Sequence, residues 1–184
     1  MASPKSKDKP GKNEPGDEGQ QDLSFLLPVV GFKPGGPGGD SGRDPLGALR
    51  ATLQRLSGRD GQIPPQTLLI EGGTIEIRLA AALYWAGLFN CAARLEGVLP
   101  DFLAAEAGPC WACPACLRLL SGSHRDFFLL DGRSGSIKID QVREVRKLVG
   151  DPPREQGRRV VVMAESPHLT IEAANALLKS LEEP

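Results

Sequence analysis

Three short apolar runs do most to set the architecture. Residues 66–71 (QTLLIE), 125–130 (RDFFLL) and 159–163 (RVVVM) each read as a β-strand, short, apolar and bounded by loop signals. Helical spacing follows each run. Residues 75–91 are apolar and rich in alanine, residues 140–149 start on Asp140 as an N-cap, and residues 170–183 put Ile171, Ala174, Leu178 and Leu181 on one face. A further amphipathic helix is expected over residues 45–56, where Leu46, Leu49, Leu53 and Leu56 recur at spacings of three and four behind Pro45. Strands that are apolar throughout and alternate with helices imply a parallel sheet covered on both faces. The predicted class is α/β.

Glycine and proline place the first boundary. Nine Gly and six Pro fall in residues 1–44, against thirteen and ten in the remaining 140. Residues 1–21 carry both charges and no apolar side chain beyond Met1 and Ala2, so ordering them would bury too little surface to offset the lost entropy. Residues 1–44 are therefore expected to be a disordered tail, interrupted by one apolar island at 23–32 (LSFLLPVVGF), and residues 45–184 a folded domain. The balance of 22 Lys and Arg against 23 Asp and Glu lacks the basic excess of a dedicated nucleic-acid binder. No run is long enough to span a bilayer and no secretory leader is visible, so a cytoplasmic protein is expected.

All four cysteines fall within residues 91–116, as Cys91, Cys110, Cys113 and Cys116. Gaps of two residues turn successive thiolates toward one point, and Zn²⁺ takes four of them tetrahedrally at about 2.3 Å. Four ordinary buried thiols would not crowd three cysteines into seven residues. Four protein ligands leave no open position, so the predicted metal is structural, pinning an 18-residue insertion that lacks a core of its own. His124, eight residues past Cys116, is the competing ligand.

A strand, then glycine, then a helix is the setting of a phosphate-binding loop, G-x-x-x-x-G-K-[ST]. Here Gly72 matches the first glycine, but Ile77, Arg78 and Leu79 replace the second glycine, the lysine and the hydroxyl. Isoleucine does not readily take the backbone angles of a loop glycine, and Glu76 adds negative charge where phosphates would sit. The strand at 159–163 should lead into an Asp-Glu pair; Glu165 is present, but Ala164 stands where a Mg²⁺-binding Asp would be. Gly72, Arg78 and Glu165 thus mark a degenerate nucleotide site. Arg78 reads either as a residual phosphate ligand or as part of a loop that kept its geometry without its nucleotide. No catalytic residue is assigned, and His124 and His168 read as loop or capping residues.

Residues 175–184 (NALLKSLEEP), taken with the cysteine spacing and residues 139–143 (IDQVR), resemble the bacterial DNA polymerase III clamp-loader family, over roughly residues 63–184. The motor subunits of that family, gamma and tau, share both features but keep the intact loop and the Asp-Glu pair; their loss here resembles the delta-prime type. The resemblance implies an AAA+ P-loop-type parallel sheet flanked by helices, with a zinc-binding insertion. It implies a nucleotide-silent scaffold that binds no ATP, supporting gamma/tau-like ATPase and delta-like partners as they load a sliding clamp onto primed DNA. DNA would be reached only through the complex. A lid, a collar domain and a Ser-Arg-Cys motif would lie beyond Pro184, so truncation is expected. The helices at 140–149 and 170–183 become candidate interfaces, while Lys179 reads as solvated rather than as a DNA contact. Two other readings are a gamma/tau-like ATPase using Arg78 and Glu165, and a repurposed zinc-stabilised adaptor.

In the tail, Gln20, Leu23 and Phe25 (QQDLSF) resemble the glutamine–leucine–aromatic peptides that dock into sliding clamps. The alternative is that the island, Leu23 to Phe32, folds back onto the domain as a stray strand or simply floats.

Overall fold

The computed structural model describes residues 21–26, 46–58, 63–97 and 108–182. Its centre is the helix α2, Ile75–Asn90, whose buried residues Leu79, Ala80, Ala81, Leu83, Tyr84, Trp85, Ala86 and Leu88 point in every direction. A helix apolar all round must be enclosed, and this one is. Helix α1, Gly47–Leu56, lays Leu53 against it, and the Gln54 amide donates to the Tyr84 hydroxyl at 2.7 Å. Trp85 and Phe89 meet edge to face at 4.9 Å. Gly87 has no room for a side chain, because a Cβ there would run into the Pro109 ring. That close approach brings the cysteine-bearing segment onto the C-terminal half of α2.

After the short helix α3, Ala92–Leu95, the chain continues through α4, Pro114–Leu120, into the sheet. Strand β1, Phe127–Asp131, and strand β2, Val160–Ala164, pair in parallel with Phe127 opposite Val160 and Asp131 opposite Ala164. Helix α5, Ile139–Gly150, is the crossover between them, and α6, Ile171–Glu182, follows β2. A second, smaller core of Ile137, Val142 and Ala173 joins α5 to α6. One isolated parallel bridge, Ile137 to Leu169, closes it.

The α/β class stands, with four corrections. Among the described residues the sheet has two strands, and most of their positions are only half-buried, not covered on both faces. Residues 66–71 form no strand. Leu68 and Ile70 pack against the core and Leu69 is 74% exposed, so the segment is held by alternate side chains and has no ladder partner. Asp140 is not the N-cap of α5. Lys138 takes that place, its N–H donating to the Gln141 side chain at 2.9 Å, and Asp140 sits in the first turn, where its charge complements the helix dipole. In α6 the inward face is Ala173, Ala176 and Leu177, whereas Ile171, Leu178 and Leu181 of the expected stripe are exposed.

Part of the expected tail belongs to the core. Residues Ser24–Leu26 form a 3₁₀ turn that buries Leu23 and Leu26, and the Leu23 N–H caps α4 by donating to the Leu120 carbonyl at 2.6 Å. The rest of residues 1–44, Pro45, and the middle of the insertion at 98–107 lie outside the described residues, as do Glu183 and Pro184. Among the described residues no helix is long and apolar enough to cross a membrane.

Candidate functional site

At the C-terminal ends of both strands, the loop before α2 meets the turns after β1 and β2. Gly72 and Gly73 have φ of +79° and +61°, angles that glycine takes without strain. Thr74 caps α2, its hydroxyl accepting the Ile77 N–H at 3.4 Å. Arg78, one turn into the helix, folds back over the loop. Its guanidinium donates to the Gly72 carbonyl at 3.2 Å, to the Gly73 carbonyl at 2.9 Å, and to the Glu165 carboxylate in a close ion pair. Glu165 is placed there by a left-handed backbone, φ 54° and ψ 55°, an unusual and costly conformation for a residue with a side chain. Gly132 makes room for that turn, since a Cβ on it would lie 2.7 Å from the Glu165 carbonyl oxygen. Gly72, Arg78 and Glu165, expected from the sequence to mark a degenerate nucleotide site, are therefore in one place. Buried Ala164 ends β2 beside them.

The charges around this loop are already matched within the chain. Arg133 grips Asp131 with the Nε–Nη2 edge of its guanidinium, at 2.6 to 3.0 Å, which holds the Asp131 carboxyl below its ordinary range and raises Arg133. The Glu76 carboxyl is lowered chiefly by its hydrogen bond with Thr74 and further by Arg133 and Arg78. A working phosphate loop turns N–H groups inward. This one turns two carbonyls inward, and its cation satisfies them together with a carboxylate.

At the other end of α2, Cys91 is the C-cap, Cys113 caps α4, and Cys116 lies in the first turn of α4. The four cysteine sulfurs lie within 4.8 Å of one another. Four sulfurs at 2.3 Å from one Zn²⁺ stand about 3.8 Å apart, so the cluster fits the ion with little movement. The Cys110 N–H points at the Cys91 sulfur (3.4 Å) and the Cys113 N–H at the Cys110 sulfur (3.3 Å), stabilising negative charge on both. Cys91 is drawn down to about 5, first by the hydrogen bond from the Cys116 thiol, while that shared proton, burial and the neighbouring sulfurs push Cys116 up. A divalent cation would take over the work of that proton.

His124 is not among these ligands. Its buried ring accepts the Asp126 N–H on Nδ1 at 3.2 Å and turns Nε2 toward Glu155, 3.5 Å away. Of the tail residues, Leu23 is buried in the core of its own chain, Phe25 is 52% exposed, and Gln20 lies outside the described residues. In this conformation the leucine is not available to a docking pocket.

Sequence reasoning missed a buried polar anchor on the opposite end of the strands. Asp126 is wholly buried and accepts the N–H groups of Arg154 (2.9 Å) and Glu155 (2.7 Å) and the Arg159 guanidinium (2.9 Å). Arg159 also donates to the carbonyls of Leu148, Asp151 and Pro152. The one available signal was an acid directly before FFLL, since a charge at a buried strand end needs partners. Burial alone would raise the Asp126 carboxyl, but the two N–H groups and Arg159 outweigh it and hold it low. A carboxyl that is lowered in the native state stabilises the fold above its unfolded value of about 3.9. That contribution is lost as the pH falls through the lower native value. Urea midpoints should therefore drop steeply below about pH 4 in the wild type, and the drop should be shallower in Asp126→Asn.

The family model for "DNA polymerase III, delta subunit" matches residues 55–184. The chain is 43% identical to the DNA polymerase III subunit delta' of Pseudomonas aeruginosa over 82 residues, 44% of this chain and 25% of that protein. It is 34% identical to the delta' subunit of Bacillus subtilis over 116 residues, 63% of this chain and 32% of that one. The tau subunit of Bacillus subtilis is also similar, at 38% over 76 residues, 41% of this chain and 13% of its own length. The matches thus span about a quarter to a third of the delta' relatives. With the matched model covering most of its length, the chain belongs to the DNA polymerase III delta-subunit family.

Proposed function

We propose that this chain is the AAA+-type module of a clamp-loader delta'-like subunit, and that it holds no nucleotide. The observation that carries the reading is the arrangement around Arg78. Its guanidinium is committed to the loop's own carbonyls and to Glu165, so an internal ion pair occupies the place of phosphate and metal. Ala164 offers no metal ligand beside it. A module closed in this way serves as a rigid support for gamma/tau-like ATPase and delta-like subunits while they open a sliding clamp. DNA is then met only through the assembled complex, in the cytoplasm. The four cysteines hold a structural Zn²⁺, and the folded domain runs from about residue 45, with the turn at 21–26 added to it.

The similarity to tau supports a second reading, an ATPase with an unorthodox site. The two part on labelling. In a mixture with a gamma/tau-type ATPase, a photoreactive ATP analogue should cross-link to the ATPase and leave this chain unlabelled. Labelling of this chain that excess ATP competes away would favour the second reading.

A further inference from the structure

The loop between α5 and β2 rests on the cysteine module from two sides, each beside a ligand. On one side Asn90, next to Cys91, donates to the Ala86 carbonyl at 2.9 Å and accepts the Arg158 N–H on Oδ1 at 3.2 Å. Gly157, at φ +119°, lies so close to the Phe89 carbonyl and the Asn90 side chain that a Cβ would not fit. On the other side Arg118, two residues past Cys116 on α4, makes a close ion pair with Glu155. The buried His124 ring backs that carboxylate at 3.5 Å. Both contacts are fastened to backbone that the cysteines position, and the same loop runs directly into β2.

We infer that a metal ion bound by the four cysteines is also the keystone of the loop at residues 151–159. Holding Cys91 and Cys116 on one ion fixes the spacing of Asn90 and Arg118, and that spacing seats Arg158 and Glu155 together. The coupling is reciprocal by linkage: a seated loop tightens the metal site, and an unseated loop loosens it. None of this depends on whether the loop at residues 72–78 binds nucleotide.

The test is a Zn²⁺ competition titration against a chromophoric chelator, with hydrogen exchange on the loaded full chain. Glu155→Gln, which keeps all four cysteines, should bind Zn²⁺ at least about fivefold more weakly than wild type, the lower end of ordinary coupling between sites. Asn90→Ala should do the same, and Arg143→Gln, on the exposed face of α5, should not. Stripping the metal should speed exchange of the amides at residues 154–158 more than that of the β1 amides. Equal Zn²⁺ affinity in Glu155→Gln and wild type would overturn the inference, as would loop exchange that is indifferent to metal. Failure of the wild type to take up Zn²⁺ would overturn it too. If stripping unfolds the whole chain, β1 accelerates as well, and the Glu155→Gln affinity decides.

Discussion

Cys116→Ser should abolish stoichiometric zinc uptake and lower the midpoint of the thermal transition steeply. Cys116 is fully buried, sits in the first turn of α4, and stands at one corner of a cluster whose sulfurs are all within 4.8 Å. The module's other support is the packing of Trp111, Leu119 and Leu120 into the main core. Helix α4 is seven residues long, too short to persist on local hydrogen bonds, and the turn at Trp111 takes a left-handed φ of 53°. Metal binding in small zinc modules supplies on the order of 10 kcal/mol of folding energy, so local order in this module depends on it. The loss should spread inward, because Pro109 and Trp111 of the knuckle pack on Gly87 of the central helix. Chelation of the wild type should reproduce the effect, and zinc should reverse it. Circular dichroism melts with metal analysis check both; an unchanged melt in zinc-free Cys116→Ser would show that the cluster does not hold the fold.

Asp126→Ala should cost about 3–5 kcal/mol, the range for removing one partner of a buried ion pair. Three backbone carbonyls would still face Arg159, but its charge would lose its counterion, and the Arg154 and Glu155 N–H groups would lose their acceptor. The side chains of the pair are 1% and 6% exposed, so water cannot substitute. Urea midpoints at neutral pH measure the effect. Arg133→Ala is the contrasting case, because Arg133 is 37% exposed and Asp131, at the end of β1, keeps the backbone N–H of residue 133 at 2.9 Å; it should cost less, about 1 kcal/mol. Equal losses in the two variants would mean that burial does not set the difference.

How much of this was legible in the sequence depended on how local the determinant was. The start of α2 could be read from Gly72, Gly73 and Thr74, because two glycines and a capping hydroxyl act within one turn. Its end at Asn90 and the strands at 127–131 and 160–164 fell within two residues of expectation for the same reason. The cysteine cluster was legible from spacing alone. The run QTLLIE misled because apolar content does not say whether a neighbouring strand will be present to pair with it. For Leu23 and Leu26 the sequence left folding back onto the domain open but could not say where: two leucines in a glycine- and proline-rich tail carry no period, yet α4 ends with an open carbonyl and an apolar surface that they fit. The partners of Asp126 were hidden because they lie 28 to 33 residues away. Gly72, Arg78 and Glu165 could be grouped from the pattern, but the pattern left Arg78 open to either reading. The Arg78–Glu165 pair, 87 residues apart in sequence, is known only from the fold.

Calorimetric titration of the zinc-loaded chain with Mg²⁺-ATP tests the central claim most directly. With Arg78 tied to Gly72, Gly73 and Glu165, there should be no binding heat at high micromolar protein and millimolar nucleotide. A one-to-one isotherm that disappears in Arg78→Ala would contradict the account, because it would show that the guanidinium serves a phosphate and not the loop that surrounds it.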